Sequence, residues 1–307
     1  MKSALLVVAL SLMAPLLLQD LASTQSNESW RDPSPHQVRW VTVDSSVRLE
    51  VLDWGGADRP PLVLLGCYLT AHAYDEIAPK LTSQFHVYGI TRRGIGASDR
   101  PATGYTVQRS ANDVMEVLES LNAERLLLVG NSCAGQILTL IAAQHSDRVS
   151  GLVYLDGASD PTTPAYDPPM PDLAKLPRRL PGGARVTLPE AERRAAPFTP
   201  EVRRAITVDA RIKPNYSGIR VPVLAIYQAQ LPFEEAAKQF DIRNEEERAA
   251  LRQEHAATRA MYTRWQQELL AAVPTARILE LPGANLYMFV SNEADIIREL
   301  RAFASAP

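Results

Sequence analysis

Cysteine is nearly absent from this chain of 307 residues, which holds only Cys67 and Cys133. Two thiols do not make a disulfide scaffold. Nor does the sequence contain a spaced cluster of histidine, cysteine and carboxylate of the kind that binds metal, so no metal is expected. Histidine is scarce as well: His36, His72, His86, His145 and His255 are the full set. An excess of one charge is also missing. The formal net charge is -3, with 32 basic and 35 acidic residues interspersed. Without a basic stripe or basic-aromatic interleaving, a nucleic-acid partner is excluded. There is no internal repeat. Gly94-Ile95-Gly96 is not a dinucleotide fingerprint, because the helix and acidic partner are wrongly spaced, and no cofactor is expected.

No apolar run reaches the ~20 residues that a membrane-spanning helix needs. Lys2 precedes an apolar stretch from Ala4 to Leu18, broken by Pro15 and followed by Gln19-Asp20. One positive residue before about 15 apolar ones fits a secretory signal, expected over residues 1–22, with a polar leader over 23–36. Asp20 stands where a small residue is preferred before cleavage, so an uncleaved anchor is the alternative. The expected location is secreted or periplasmic, with no stable membrane insertion of the mature chain.

What is present is a strand-helix alternation. Val38, Trp40, Val41 and Val43, then Val47, Leu49, Val51 and Leu52, read as a hairpin turning at Ser45-Ser46. Leu62 to Leu65, His86 to Ile90, Arg125 to Val129, Gly151 to Leu155 and Val221 to Tyr227 read as strands. The first of these is a continuous apolar run, as in strands buried on both faces. Helical spacing is expected over 71–81, 110–121, 134–144, 245–272 and 293–303, with a last strand over 277–281. Asn244 and Glu247 form a capping-box pair for the long helix. The pattern predicts a doubly wound, mostly parallel sheet of about eight strands. It breaks at Asp160: eleven of the 23 prolines fall between Pro161 and Pro214. Residues 158–220 are therefore expected to form an inserted Pro-rich cap between two parts of one core, 37–157 and 221–307.

Directly after the run Arg125-Leu126-Leu127-Leu128-Val129 comes Gly130-Asn131-Ser132-Cys133-Ala134-Gly135. A strand that turns sharply into a helix through a Gly-x-Ser step puts the serine hydroxyl on an exposed corner above the sheet. Serine is a poor nucleophile unless a base lies within hydrogen-bond reach, and it works with backbone amides aimed at the developing oxyanion.

Together with Leu64-Leu65-Gly66-Cys67-Tyr68, Thr91-Arg92-Arg93-Gly94-Ile95-Gly96-Ala97-Ser98-Asp99 and Leu281-Pro282-Gly283-Ala284-Asn285-Leu286, this elbow resembles the α/β-hydrolase superfamily. Within it, the chain is similar to a group of secreted bacterial members. The resemblance implies an α/β-hydrolase fold and a small ester or acyl substrate. It makes Ser132 the nucleophile and Cys133 one oxyanion amide, with Cys67 or Tyr68 the second. The acid of many relatives follows the seventh strand, where Gln228-Ala229-Gln230-Leu231 has no carboxylate; Asp156, after the sixth strand, is the other candidate. The family histidine falls at Leu286, which can move no proton. His72, after the oxyanion loop, is the best substitute base, ahead of His255. Two readings stay open: a serine hydrolase with an unorthodox base, or an inactive homologue binding an apolar small molecule in a capped pocket. Cys67 and Cys133 flank the oxyanion donors; two separate buried thiols are the plainer expectation, and a bridge is the alternative.

Overall fold

The strands pair in the order β1-β2-β4-β3-β5-β6-β7-β8 to make one eight-stranded sheet. β1 (Gln37–Val43), β2 (Val47–Gly55) and β4 (His86–Ile90) pair antiparallel in turn. The remaining neighbours, β3 (Pro61–Leu65), β5 (Leu126–Asn131), β6 (Val149–Leu155), β7 (Val223–Gln228) and β8 (Arg277–Leu281), are joined by parallel ladders. The computed structural model describes residues 30–163, 187–206 and 211–305. Pro33–Pro307 forms one compact unit; of the other, Met1–Asp32, three residues are described. The expected signal segment and half of the polar leader, residues 23–29, lie outside the described residues.

The central strands bury both faces, and their side chains alternate between two cores with a period of two. Val63, Leu65, Leu126, Leu128, Leu152, Tyr154, Val223 and Ala225 face one core. Leu62, Leu64, Leu127, Val129, Val153, Leu155, Leu224 and Ile226 face the other. Each face is closed by its own helices. α2 (Val107–Ser120) and α3 (Ala134–Gln144) contribute Val114, Val117, Ile137 and Leu138 to the first core. α1 (Ala78–Leu81) and, near the C-terminus, the helical segments 288–291 and 293–304 contribute Leu81, Phe289, Ile296 and Leu300 to the second. At about 1.5–3 kcal/mol for each fully buried large apolar side chain, this two-sided burial is the main favourable term in the fold.

Two helix boundaries differ from expectation for identifiable reasons. The helix expected over 71–81 is split into a 3-10 turn, Ala71–Tyr74, and α1, because Pro79 lies in the first turn of α1 and suits a helix start. α2 begins three residues early, where the Thr106 side chain accepts from the Arg109 amide as its N-cap. In the Pro-rich insertion, the described residues hold α4 (Glu190–Arg194) and α5 (Pro200–Arg204); residues 164–186 and 207–210 lie outside the description. A short helix α6 (Phe233–Ala237) precedes α7 (Glu245–Ala272), which starts at Asn244 as expected. Asn244 accepts from the Glu247 amide, but Glu247 turns its carboxylate to the Arg243 amide, so the box is only half closed. α8 (Met288–Ser291) and α9 (Glu293–Ala304) complete the chain.

The approach of α3 to the sheet is closest at Gly135, where an added Cβ would stand 1.9 Å from the Gly157 carbonyl oxygen. Ala134, in the place of the elbow's second glycine, is fully buried without such a clash. Gly135→Ala is therefore expected to destabilise the fold by about 3 kcal/mol or more, since backbone must move to admit the methyl group. Urea unfolding of the variant measures this; an unchanged midpoint would show that the helix has room to shift.

Candidate active site

β5 carries the chain to the carboxyl edge of the sheet, and Ser132 turns it into α3. Ser132 has a φ of 54°, a left-handed conformation that costs a non-glycine residue on the order of 1–3 kcal/mol. Hydrogen bonds on both sides hold it there. The Ser132 amide donates to the Leu155 carbonyl at 3.0 Å, and the Ser132 carbonyl accepts from the Gly135 amide at 2.9 Å. The strand-turn-helix corner expected from Gly130-Asn131-Ser132 is thus built as a sharp, strained elbow.

Cys67 and Cys133 form a disulfide with their α-carbons 4.9 Å apart. This overturns the expectation of two separate thiols, and the reason lies in sheet order. β3 and β5 are neighbours with Leu65 paired to Gly130, so residues just beyond the two strand ends meet across the edge. The bridge ties the loop carrying Cys67 and Tyr68 to the residue after Ser132. Other contacts hold that loop too. The buried Arg92 guanidinium donates to the Cys67 carbonyl at 3.1 Å; burial lowers its pKa to about 10, still cationic at neutral pH. Glu192 of α4 accepts from the amide and the hydroxyl of Thr70. Burial raises the Glu192 carboxyl to about 6 against the opposing effect of those hydrogen bonds. Tyr68 packs on Phe198 with ring centres 5.7 Å apart, and Ile95, Tyr105, Val202 and Ile206 complete an apolar cluster that also touches Cys133.

Asp156 follows β6 directly, with a φ of 55°. Its Oδ2 accepts from Gln228 Nε2 at 2.5 Å and from the Tyr262 hydroxyl at 3.0 Å. Among the described residues its buried Oδ1 has no hydrogen-bond partner. Burial raises the Asp156 carboxyl above its ordinary value, opposed by the bonds from Gln228 and Tyr262. Sequence reasoning missed both of these partners, although Gln228 opens the stretch where a carboxylate was sought. Leu286 comes to the elbow through its backbone: its carbonyl accepts from Asn131 Nδ2 at 2.7 Å, while its side chain belongs to a residue 38% exposed. Leu231 is distant in role, its carbonyl accepting from His255 Nε2 at 2.7 Å.

The substitute histidines are engaged elsewhere. His72 Nδ1 lies 3.0 Å from Asp75, and its Nε2 lies 3.6 Å from Glu50. Burial alone would depress its pKa, but hydrogen bonds and charge from Asp75 and Glu50 outweigh that and lift it to about 10. Both ring nitrogens of His72 thus face carboxylates, which favour its protonated form. His255 rests on Leu231 and the Phe233 ring, and His86 bonds Asp53 and Tyr88.

The bridge closes a 66-residue separation, so its loss is expected to cost about 4 kcal/mol in the chain-entropy account. Denaturant unfolding of a Cys67→Ala, Cys133→Ala double variant measures this. Alkylation of the unreduced protein should label no thiol; two labelled cysteines would contradict the bridge.

Comparison with known proteins follows the same outline. Residues 60–217, just over half of the chain, match the model of the alpha/beta hydrolase fold family. A haloalkane dehalogenase of Psychrobacter cryohalolentis is 35% identical over 113 residues, covering 34% of this chain and 36% of that protein. A soluble epoxide hydrolase of a Corynebacterium species is 32% identical over 97 residues, covering 31% and 34%. The chain thus spans about a third of the length of these curated relatives. Among solved structures, an N-acyl homoserine lactone degrading enzyme superposes with a TM-score of 0.63 at 21% identity, over 86% of this chain and all of that one. At that identity the likeness speaks for the fold alone. With the sheet order, the elbow and the family match in agreement, this chain belongs to the alpha/beta hydrolase fold family.

Proposed function

We propose that this chain is a secreted or periplasmic α/β-hydrolase homologue that has kept the serine elbow and lost the proton acceptor. Its capped pocket binds a small, largely apolar ester or acyl compound and turns it over slowly or not at all. The observation that carries this reading is the state of Asp156. One carboxylate oxygen is anchored by Gln228 and Tyr262, and the other is buried without a partner. Such an oxygen is what an imidazole N–H would occupy in a triad, where the acid orients the base. At the family's histidine position stands Leu286, held against the elbow through its carbonyl. A leucine that is 38% exposed gains only part of its burial energy there, so packing does not account for the residue.

The disulfide supports the extracytoplasmic reading, since such bonds persist where thiols are not kept reduced. The cap reading is supported by α5 and its flanks, whose Phe198, Val202 and Ile206 lay apolar surface over Tyr68 and Cys133. Among the described residues, no helix is long and apolar enough to cross a membrane.

A second reading, a serine hydrolase of low efficiency, is favoured by the intact elbow. Losing the histidine of a serine triad costs on the order of a million-fold, yet leaves about 10³–10⁴ over water from the oxyanion site and binding.

Restoring the imidazole tests both. Leu286→His is expected to raise kcat/KM for a short-chain p-nitrophenyl ester by about 10²–10⁴, the usual worth of a positioned general base. Because residue 286 is substantially exposed, stability should change by no more than about 0.5 kcal/mol. A folded variant with no gain, or a wild type already turning over at ordinary hydrolase rates, would overturn the reading.

A further inference from the structure

Sequence spacing offers no metal motif, yet the fold gathers one. His36 precedes β1, while His72 and Asp75 lie in the segment that follows β3. Their donor atoms come within 4.8 Å of one another. His36 Nδ1 is 3.1 Å from Asp75 Oδ1, and His72 Nδ1 is 3.0 Å from Asp75 Oδ2. The side chains of His36 and Asp75 are each 5% exposed and that of His72 is 16% exposed. In a tetrahedral zinc site with bonds of 2.0–2.1 Å, neighbouring donors lie about 3.3 Å apart. The two contacts above run to different oxygens of Asp75, so an ion would draw the donors, which lie within 4.8 Å of one another, together to reach that spacing.

We propose that His36, His72 and Asp75 bind a divalent transition-metal ion of zinc's chemical class, in the segment that also carries Cys67 and Tyr68. Two imidazoles and one carboxylate are the donor set that suits zinc and its neighbours, whereas calcium and magnesium take oxygen. The surroundings have the form of an outer shell. Glu50 Oε1 faces His72 Nε2 at 3.6 Å, the nitrogen opposite the metal-facing one, as a carboxylate does when it orients a ligating imidazole. Glu50 is itself fixed by the Thr91 hydroxyl at 2.7 Å, and Thr91 Oγ1 accepts from the Ala71 amide at 2.9 Å. The His36 ring is set by edge contacts with Trp54 and His72, at 5.8 and 5.1 Å between centres. Binding displaces the proton from His72 Nδ1, which becomes a ligand, and Nε2–H still points to Glu50. The ion would thereby pin the entry to β1 onto the oxyanion segment. This inference does not depend on whether Ser132 is catalytic.

The test uses the full mature chain, stripped with a chelator, dialysed and titrated with Co²⁺ and then Zn²⁺. One equivalent of Co²⁺ with visible d–d absorption, displaced by Zn²⁺, is expected. Glu50→Gln should weaken binding by about 10–100-fold, and His36→Gln and Asp75→Asn should abolish it. X-ray absorption of the zinc-loaded wild type, which needs no variant, should show at least two imidazole ligands. Failure of the wild type to bind stoichiometrically would overturn the proposal, as would fewer than two imidazoles at the ion or unchanged binding by a folded His36→Gln protein.

Discussion

The packing of α3 against the sheet edge is the constraint on which the site depends. Gly135 meets the Gly157 backbone with no room for a side chain, and the Ser132 amide is anchored to Leu155. Those contacts hold Ser132 at a positive φ that an isolated chain would leave. Everything functional is arranged around that corner. The disulfide joins its next residue to the loop beyond β3, Asn131 beside it holds the Leu286 carbonyl, and Asp156 starts where the neighbouring strand β6 ends. Parallel strands in register deliver their ends to one edge, which is why ligands of open α/β sheets bind there.

Around this rigid corner the polar groups are unevenly used. Arg92 and Glu192 hold the loop beyond β3 through Cys67 and Thr70, and burial moves each from its ordinary pKa. Asp156 has one oxygen bonded twice, and the other has no hydrogen bond among the described residues. A buried carboxylate oxygen without a partner costs about 1–3 kcal/mol, so its persistence calls for a reason beyond packing. The reading of a lost histidine supplies one. It also accounts for a leucine at the rim of a site otherwise built from polar and strained parts.

Much of the architecture was legible in sequence because it rests on period and punctuation. The continuous apolar runs of β3, β5, β6 and β7 exceed what a half-exposed strand carries, and Asn244 marks the start of α7 without ambiguity. Ser132 was legible because the glycine-serine step follows its strand directly. The fate of the cysteines was not, since a separation of 66 residues becomes contact only once β3 and β5 are known to be neighbours. The surroundings of His72 were legible only in part: Asp75 lies three residues on, but Glu50, which faces its other ring nitrogen, comes from β2. Gln228 and Tyr262 were invisible as partners of Asp156 because amide and phenol side chains carry no spacing signature of their own.

The account turns on whether any imidazole takes the proton of Ser132. The most direct measurement is the rate of fluorophosphonate labelling of Ser132 as a function of pH, followed by intact mass and peptide mapping. Without a base, the rate should rise with hydroxide concentration through the neutral range and show no inflection between about pH 6 and 8, where histidine ordinarily titrates. A sigmoidal profile with a midpoint in that interval, carried by Ser132, would reveal a working imidazole and contradict the account.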